Sequence, residues 1–190
     1  MLALLILLAP PFWEARPPSA WTDEEIQQLL TDSPWAQKAT AAHGNGGVPV
    51  YLATARPVQE AGAALIRRNR TPSPGEDRVS EEYREFLRDN QGSVIVLAVR
   101  LPGGRALTEE AEIRRMEKES VLRIGRRKYR LTGHFPPAPT DPCLRLVFPR
   151  EVDPQDQALR FELYLPGVPS PYRWAEFRLR EMRYRGEPAF

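Results

Sequence analysis

The chain has 190 residues, 42% of them hydrophobic and 27% charged, a balance that can bury one real core and that excludes a disordered chain. A formal net charge of +2 argues against a general nucleic-acid binder, whose affinity must come from neutralising phosphates. Cys143 is the only cysteine, so a disulfide within the chain and a thiolate metal cage are both excluded.

Residues 2–9 are an unbroken apolar run of the length a signal-peptide core needs, too short to span a bilayer as a helix. Pro10 and Pro11 follow it, and Pro18-Ser19-Ala20 offers a small-residue cleavage region; no basic residue precedes the run. This predicts a leader over residues 1–20 and a single globular domain over 21–190, exported to the periplasm or beyond, with no transmembrane span in the mature chain.

Trp21-Thr22-Asp23-Glu24-Glu25-Ile26 is the clearest local signal. Thr22 can cap the first free amides, Glu25 can close the capping box, and Trp21 can staple onto Ile26, so a helix starts here and stops near Asp32. Ser33-Pro34-Trp35-Ala36 reads as a fresh cap with proline at the first helical position, opening a short turn or helix. A Gly-rich connection at 43–47 leads to a strand over 48–55. Helices are predicted from Pro57 to about Arg70 and along Val79, Tyr83, Phe86 and Leu87, with a loop at 71–78 between them. Residues 93–99 form a nearly all-apolar strand buried on both faces. The glycines at 103 and 104 turn the chain into a charged helix at 109–117.

From Ser120 the period shifts towards two. Residues 121–124 and 127–131 around Gly125-Arg126 read as a hairpin, with further strands at 144–148, 159–165 and 175–184. Prolines clustered at 135–142 and 166–171 mark loops. The expected fold is α+β, with a mainly antiparallel sheet or two-sheet β-sandwich in the C-terminal half and helices from the N-terminal half.

The capped Trp21-Thr22-Asp23-Glu24-Glu25 helix, the following Ser33-Pro34-Trp35-Ala36, the later Val147-Phe148-Pro149-Arg150 and the closing run from Phe177 to Gly186 resemble a group of predicted-secreted bacterial proteins with no assigned activity. The resemblance implies export and one domain. It implies no activity and no functional residues.

The densest basic cluster is Arg123, Arg126, Arg127, Lys128 and Arg130 on the predicted hairpin. It is the candidate contact for an anionic envelope component or an acidic partner protein, set against the simpler reading of a solvated, aggregation-blocking edge. Arg178, Arg180, Arg183 and Arg185 form a second candidate solvent face. Trp35 and Trp174 are expected to pack the core under proline-rich loops; an exposed pair would instead suit stacking on sugars.

For catalysis the inventory is thin. His43 and His134 are the only histidines, so a His-rich metal site is excluded. Carboxylate pairs such as Glu81-Glu82 and Asp153-x-x-Asp156 read as solvated faces or turns. No phosphate-binding loop, dinucleotide fingerprint or nucleophile elbow is present, so no cofactor is implied. The leading expectation is a non-enzymatic exported binding domain; a carboxylate hydrolase acting on envelope polymers and a self-associating structural protein are the alternatives.

Overall fold

The structure is a computed structural model that describes residues 10–42, 46–68, 78–102, 109–137 and 141–190. The apolar run at residues 2–9 of the predicted leader, positions 43–45 of the Gly-rich connection, positions 71–77 of the predicted loop and the glycines at 103–104 lie outside the described residues.

Strand alternation sets the architecture. Along β3 (Val94–Arg100) and β7 (Cys143–Pro149), Ile95, Leu97, Val99, Leu144, Leu146 and Phe148 point into the main core, while Val96, Ala98, Cys143 and Val147 point to the opposite face and form a second apolar cluster. These strands centre a five-stranded antiparallel sheet in the order β1 (Ala36–Ala39), β2 (Val48–Leu52), β3, β7, β6 (Gly133–Phe135).

The second sheet has the order β5 (Arg127–Arg130), β4 (Val121–Ile124), β8 (Ala158–Tyr164), β9 (Tyr172–Arg178), again antiparallel throughout. Its inward residues Leu122, Ile124, Leu159, Phe161, Ala175 and Phe177 join the main core. Phe161 sits edge-on to Phe148 of the first sheet at 5.4 Å and to Phe177 at 5.7 Å, locking the two inner faces together. The sheets also meet at both edges. Thr40 pairs with Trp174 through two backbone hydrogen bonds, and Thr132, just after β5, already donates to Val147 in β7. The fold is α+β, with antiparallel sheets packed face to face.

Helix α2 (Asp23–Thr31) begins as its sequence requires: the Thr22 hydroxyl accepts from the Glu25 amide, and the Glu25 carboxylate accepts from the Thr22 amide. Ile26 and Leu29 face the core, and the helix packs on β1, β2 and α3 (Arg56–Arg68). Helix α4 (Arg78–Asp89) covers the outer face of the first sheet with Tyr83, Phe86 and Leu87, and α5 (Glu110–Glu119) packs Met116 beside β8. A two-stranded ribbon, β10 (Arg183–Tyr184) with β11 (Glu187–Pro188), closes the chain. Among the described residues no helix is long and apolar enough to cross a membrane.

Two features differ from the expectations, and the residues before Trp21 add contacts of their own. Residues 34–35 form the short turn, but Ala36–Ala39 is a strand rather than a helix, because β2 offers an open edge whose hydrogen bonds override local helix chemistry. The proline-rich loop expected from Phe135 begins with a short strand, β6, paired to β7. Folded structure also starts before Trp21. Helix α1 (Phe12–Ala15) and a 3-10 turn (Pro18–Ala20) lie against the domain, with Phe12 edge-on to Trp21, Trp13 edge-on to the fully buried Trp35, and the Glu14 carboxylate accepting from the Arg185 amide.

Candidate functional site

The hairpin forms as expected. Gly125, at φ 59°, occupies the first position of the two-residue turn, where a side chain would be strained. Strand register then aligns the outward side chains of the second sheet in rows. One row runs Arg130, Val121, Glu162, Trp174; the next runs Lys128, Arg123, Arg160, Glu176.

This arrangement sorts the predicted basic cluster into two groups. Arg123 donates to Glu162 at 2.5 Å, and Arg127 donates to Asp153 at 2.6 Å and also to Asp156. Their charges are matched locally. Arg126, at the turn tip, and Lys128 and Arg130, on the sheet, are exposed and make no ion pair among the described residues. Lys128 and Arg130 are joined by Lys118 from the end of α5, and with Glu119, Glu162, Tyr172 and Trp174 they line a concavity of about 510 Å³. Sequence reasoning missed Lys118 and Tyr172, and did not connect Trp174 with the hairpin, because they reach this place only through sheet register and helix docking.

Trp174 corrects the expectation for the tryptophans. Trp35 is fully buried, with its indole N–H donating to the Ala189 carbonyl at 2.5 Å, but Trp174 is 43% exposed on the sheet surface. The two do not form a pair. Tyr172 beside Trp174 is held firmly: its hydroxyl donates to Glu119 at 2.5 Å and accepts from Arg115 at 3.0 Å. The Tyr172 hydroxyl holds the Glu119 carboxyl below the usual carboxylate range, so the group stays ionised. Arg173, facing the other way, is buried and donates to the carbonyls of Gly46 and Pro169.

The carboxylates weighed as catalytic pairs do not line this concavity. Asp153 and Asp156 hold Arg127, and Glu81 and Glu82 lie exposed on α4. His134 on β6 sits 3.2 Å from Glu117, while His43 lies outside the described residues. Among the described residues no cluster of His, Cys, Asp and Glu could hold a metal ion. Arg178, Arg180, Arg183 and Arg185 are exposed, as a solvated face requires.

A second site lies on the outer face of the first sheet. Helices α3 and α4 and strands β2 and β7 enclose a groove of about 840 Å³. At its floor Arg145 is only 5% exposed; it pairs with Asp141, and its guanidinium lies 4.0 Å from the centre of the Tyr83 ring. The Tyr51 hydroxyl lies 3.6 Å from the Cys143 sulfur. Burial pushes the Tyr83 phenol up to about 12 and raises the Tyr51 phenol and the Cys143 thiol. Cys143 is therefore buried and kept as the thiol, as its strand position suggested. The signal for this site was in the sequence: an arginine at position 145 within an otherwise apolar strand, on the face shared with Cys143 and Val147.

The fold and these two faces define a class, an α+β two-sheet domain with one open charged face and one helix-covered face. No family model, curated protein or solved structure matches the chain.

Proposed function

We propose that this chain is an exported, non-enzymatic binding domain that holds an anionic envelope polysaccharide on the outer face of its second sheet. The observation that carries the reading is the concavity where Lys118, Lys128 and Arg130, free of ion pairs among the described residues, meet the exposed Trp174 ring. An indole face stacks on the apolar side of a sugar ring, and the three cations meet carboxylate or phosphate substituents. Glu119 and Glu162 are each engaged by a hydroxyl or a guanidinium, which supports holding a polymer rather than cleaving it.

Export is supported by the apolar run at residues 2–9 and by the resemblance to predicted-secreted proteins. The packing of Phe12 and Trp13 favours a processing cut before Phe12 rather than after Ala20, since the later cut would strip two aromatic rings from the core rim. Fractionation of cells expressing the tagged chain, followed by N-terminal sequencing of the exported form, tests both points. A mature N-terminus at Trp21 would sink the early cut, and retention in the cytoplasm would sink export.

The binding reading is tested by affinity electrophoresis of the purified domain in gels containing a uronate polymer or neutral dextran. Retardation is expected in the uronate gel only, weakening with salt. It should be lost on Trp174→Ala and on the triple change Lys118→Ala, Lys128→Ala, Arg130→Ala. Equal retardation by dextran, or none by either polymer, would overturn it.

A further inference from the structure

We propose that the groove on the first sheet is a binding site for an amphipathic anion, a single aliphatic chain ending in a carboxylate or phosphate. This site is separate from the polysaccharide face and does not depend on it. The walls carry a strong apolar share: Leu30, Val58, Leu65 and Leu87 line the groove among polar residues such as Gln27 and Gln59, and Ile66, at 61% exposure, stands at its rim. A volume of about 840 Å³ lies within the range of small-molecule sites, which are mostly apolar with a few placed polar groups.

The floor supplies those polar groups, and it is rich in donors and poor in acceptors. The Nε and Nη1 atoms of Arg145 and the Tyr83 hydroxyl are buried and have no hydrogen-bond partner among the described residues. The carboxylate that serves the floor, Asp141, is already committed: one oxygen accepts from Arg145 Nη2 and the other from the Cys143 amide at 3.3 Å. Buried donors left unmade are costly, and native proteins keep few of them. Three from two adjacent side chains, at the bottom of a largely apolar groove, match a guest that brings oxygen acceptors on an apolar chain.

Charge gives the guest its sign. Asp141 neutralises Arg145, but Arg100 also lines the groove and makes no ion pair among the described residues, so the site carries excess positive charge. An anionic head satisfies both the donors and the charge; an alcohol satisfies only part of the donors.

The test uses the full chain and three twelve-carbon probes below their micelle-forming concentrations: dodecanoate, dodecyl phosphate and dodecanol, titrated by calorimetry. At least one anion is expected to bind one to one and at least tenfold more tightly than dodecanol. Arg145→Met should remove that preference. Because Arg145 is buried, this variant can fail to fold, so a second variant blocks the groove from its wall. Gly62 lines the groove from α3, and a Cβ placed there meets nothing within 4 Å. Gly62→Phe is therefore expected to keep the far-ultraviolet circular dichroism of the parent and lose binding at least tenfold. Absence of binding by both anions, equal binding of dodecanol, or undiminished binding by a folded Gly62→Phe would each overturn the proposal.

Discussion

On the second sheet Arg123 and Arg160 stand in the open, each against a glutamate one strand away, with 41% and 63% of their side chains exposed. On the first sheet Arg145 lies at 5% exposure beneath Tyr83, with Asp141 as its carboxylate partner. All three residues point outward from a strand, and all three make an ion pair. The difference is the cover. Solvent competes with the open pairs and screens them, so they add little; helix α4 excludes solvent from Arg145, so every unmade bond there carries its full desolvation penalty. An open sheet face can therefore be rebuilt for binding at small cost to the fold, and a covered one cannot.

Substitutions can break or sharpen this contrast. The largest effect is expected from Phe161→Ala, which removes the ring joining the two inner faces. A loss of about 3–5 kcal/mol is expected in urea unfolding, as a single transition. Two separated transitions would show that the sheets do not share one core. Next comes Asp141→Asn, which leaves Arg145 without its counter-charge. About 1–3 kcal/mol should be lost, less than for a fully buried pair because Asp141 is about one-third exposed. Arg123→Ala on the open face should cost no more than about 1 kcal/mol in the same assay. If the two changes cost the same, cover by α4 is not what separates the faces.

Alkaline titration probes Tyr83 on the covered face when the parent chain is compared with a variant lacking that phenol. Burial raises the Tyr83 phenol in the folded chain to about 12 from its ordinary 10. Its protonated form is therefore favoured by folding: the contribution is complete below pH 10 and declines as pH rises from 10 towards 12. Tyr83→Phe should accordingly hold its circular dichroism to higher pH than the parent chain; unfolding at the same pH would remove Tyr83 from the account. The smallest effect on stability is expected from Trp174→Ala, within about 0.5 kcal/mol, because the ring is 43% exposed. A larger loss would mean that Trp174 supports the fold rather than a ligand.

Several elements were legible because their causes are local. The Thr22 and Glu25 side chains need only each other's backbone to begin α2, and Gly125 needs only its own positive φ to turn the hairpin. The two-faced burial of β3 followed from its unbroken apolar run. Strand β1 was hidden because Ala36-Gln37-Lys38-Ala39 has little strand character of its own and is extended by pairing with β2. The contacts of Phe12 and Trp13 were hidden because their partners, Trp21 and Trp35, lie across a proline-rich stretch that breaks any periodicity.

The candidate sites divide in the same way. The sequence by itself determined that basic residues crowd the hairpin from 123 to 130, that Cys143 sits in a strand, and that helices and strands combine in an α+β fold. Only the tertiary structure decided which of those cations are already neutralised, since Glu162 is 39 residues from Arg123 and Asp156 is 29 from Arg127. It alone put Trp174 outside and Trp35 inside, and brought Tyr83 of α4 over Arg145 of β7. Caps, turns and alternation act over a few residues and are written in the chain in order. Charge compensation and solvent exclusion depend on which distant surfaces meet, and that is settled only when the sheets and helices pack.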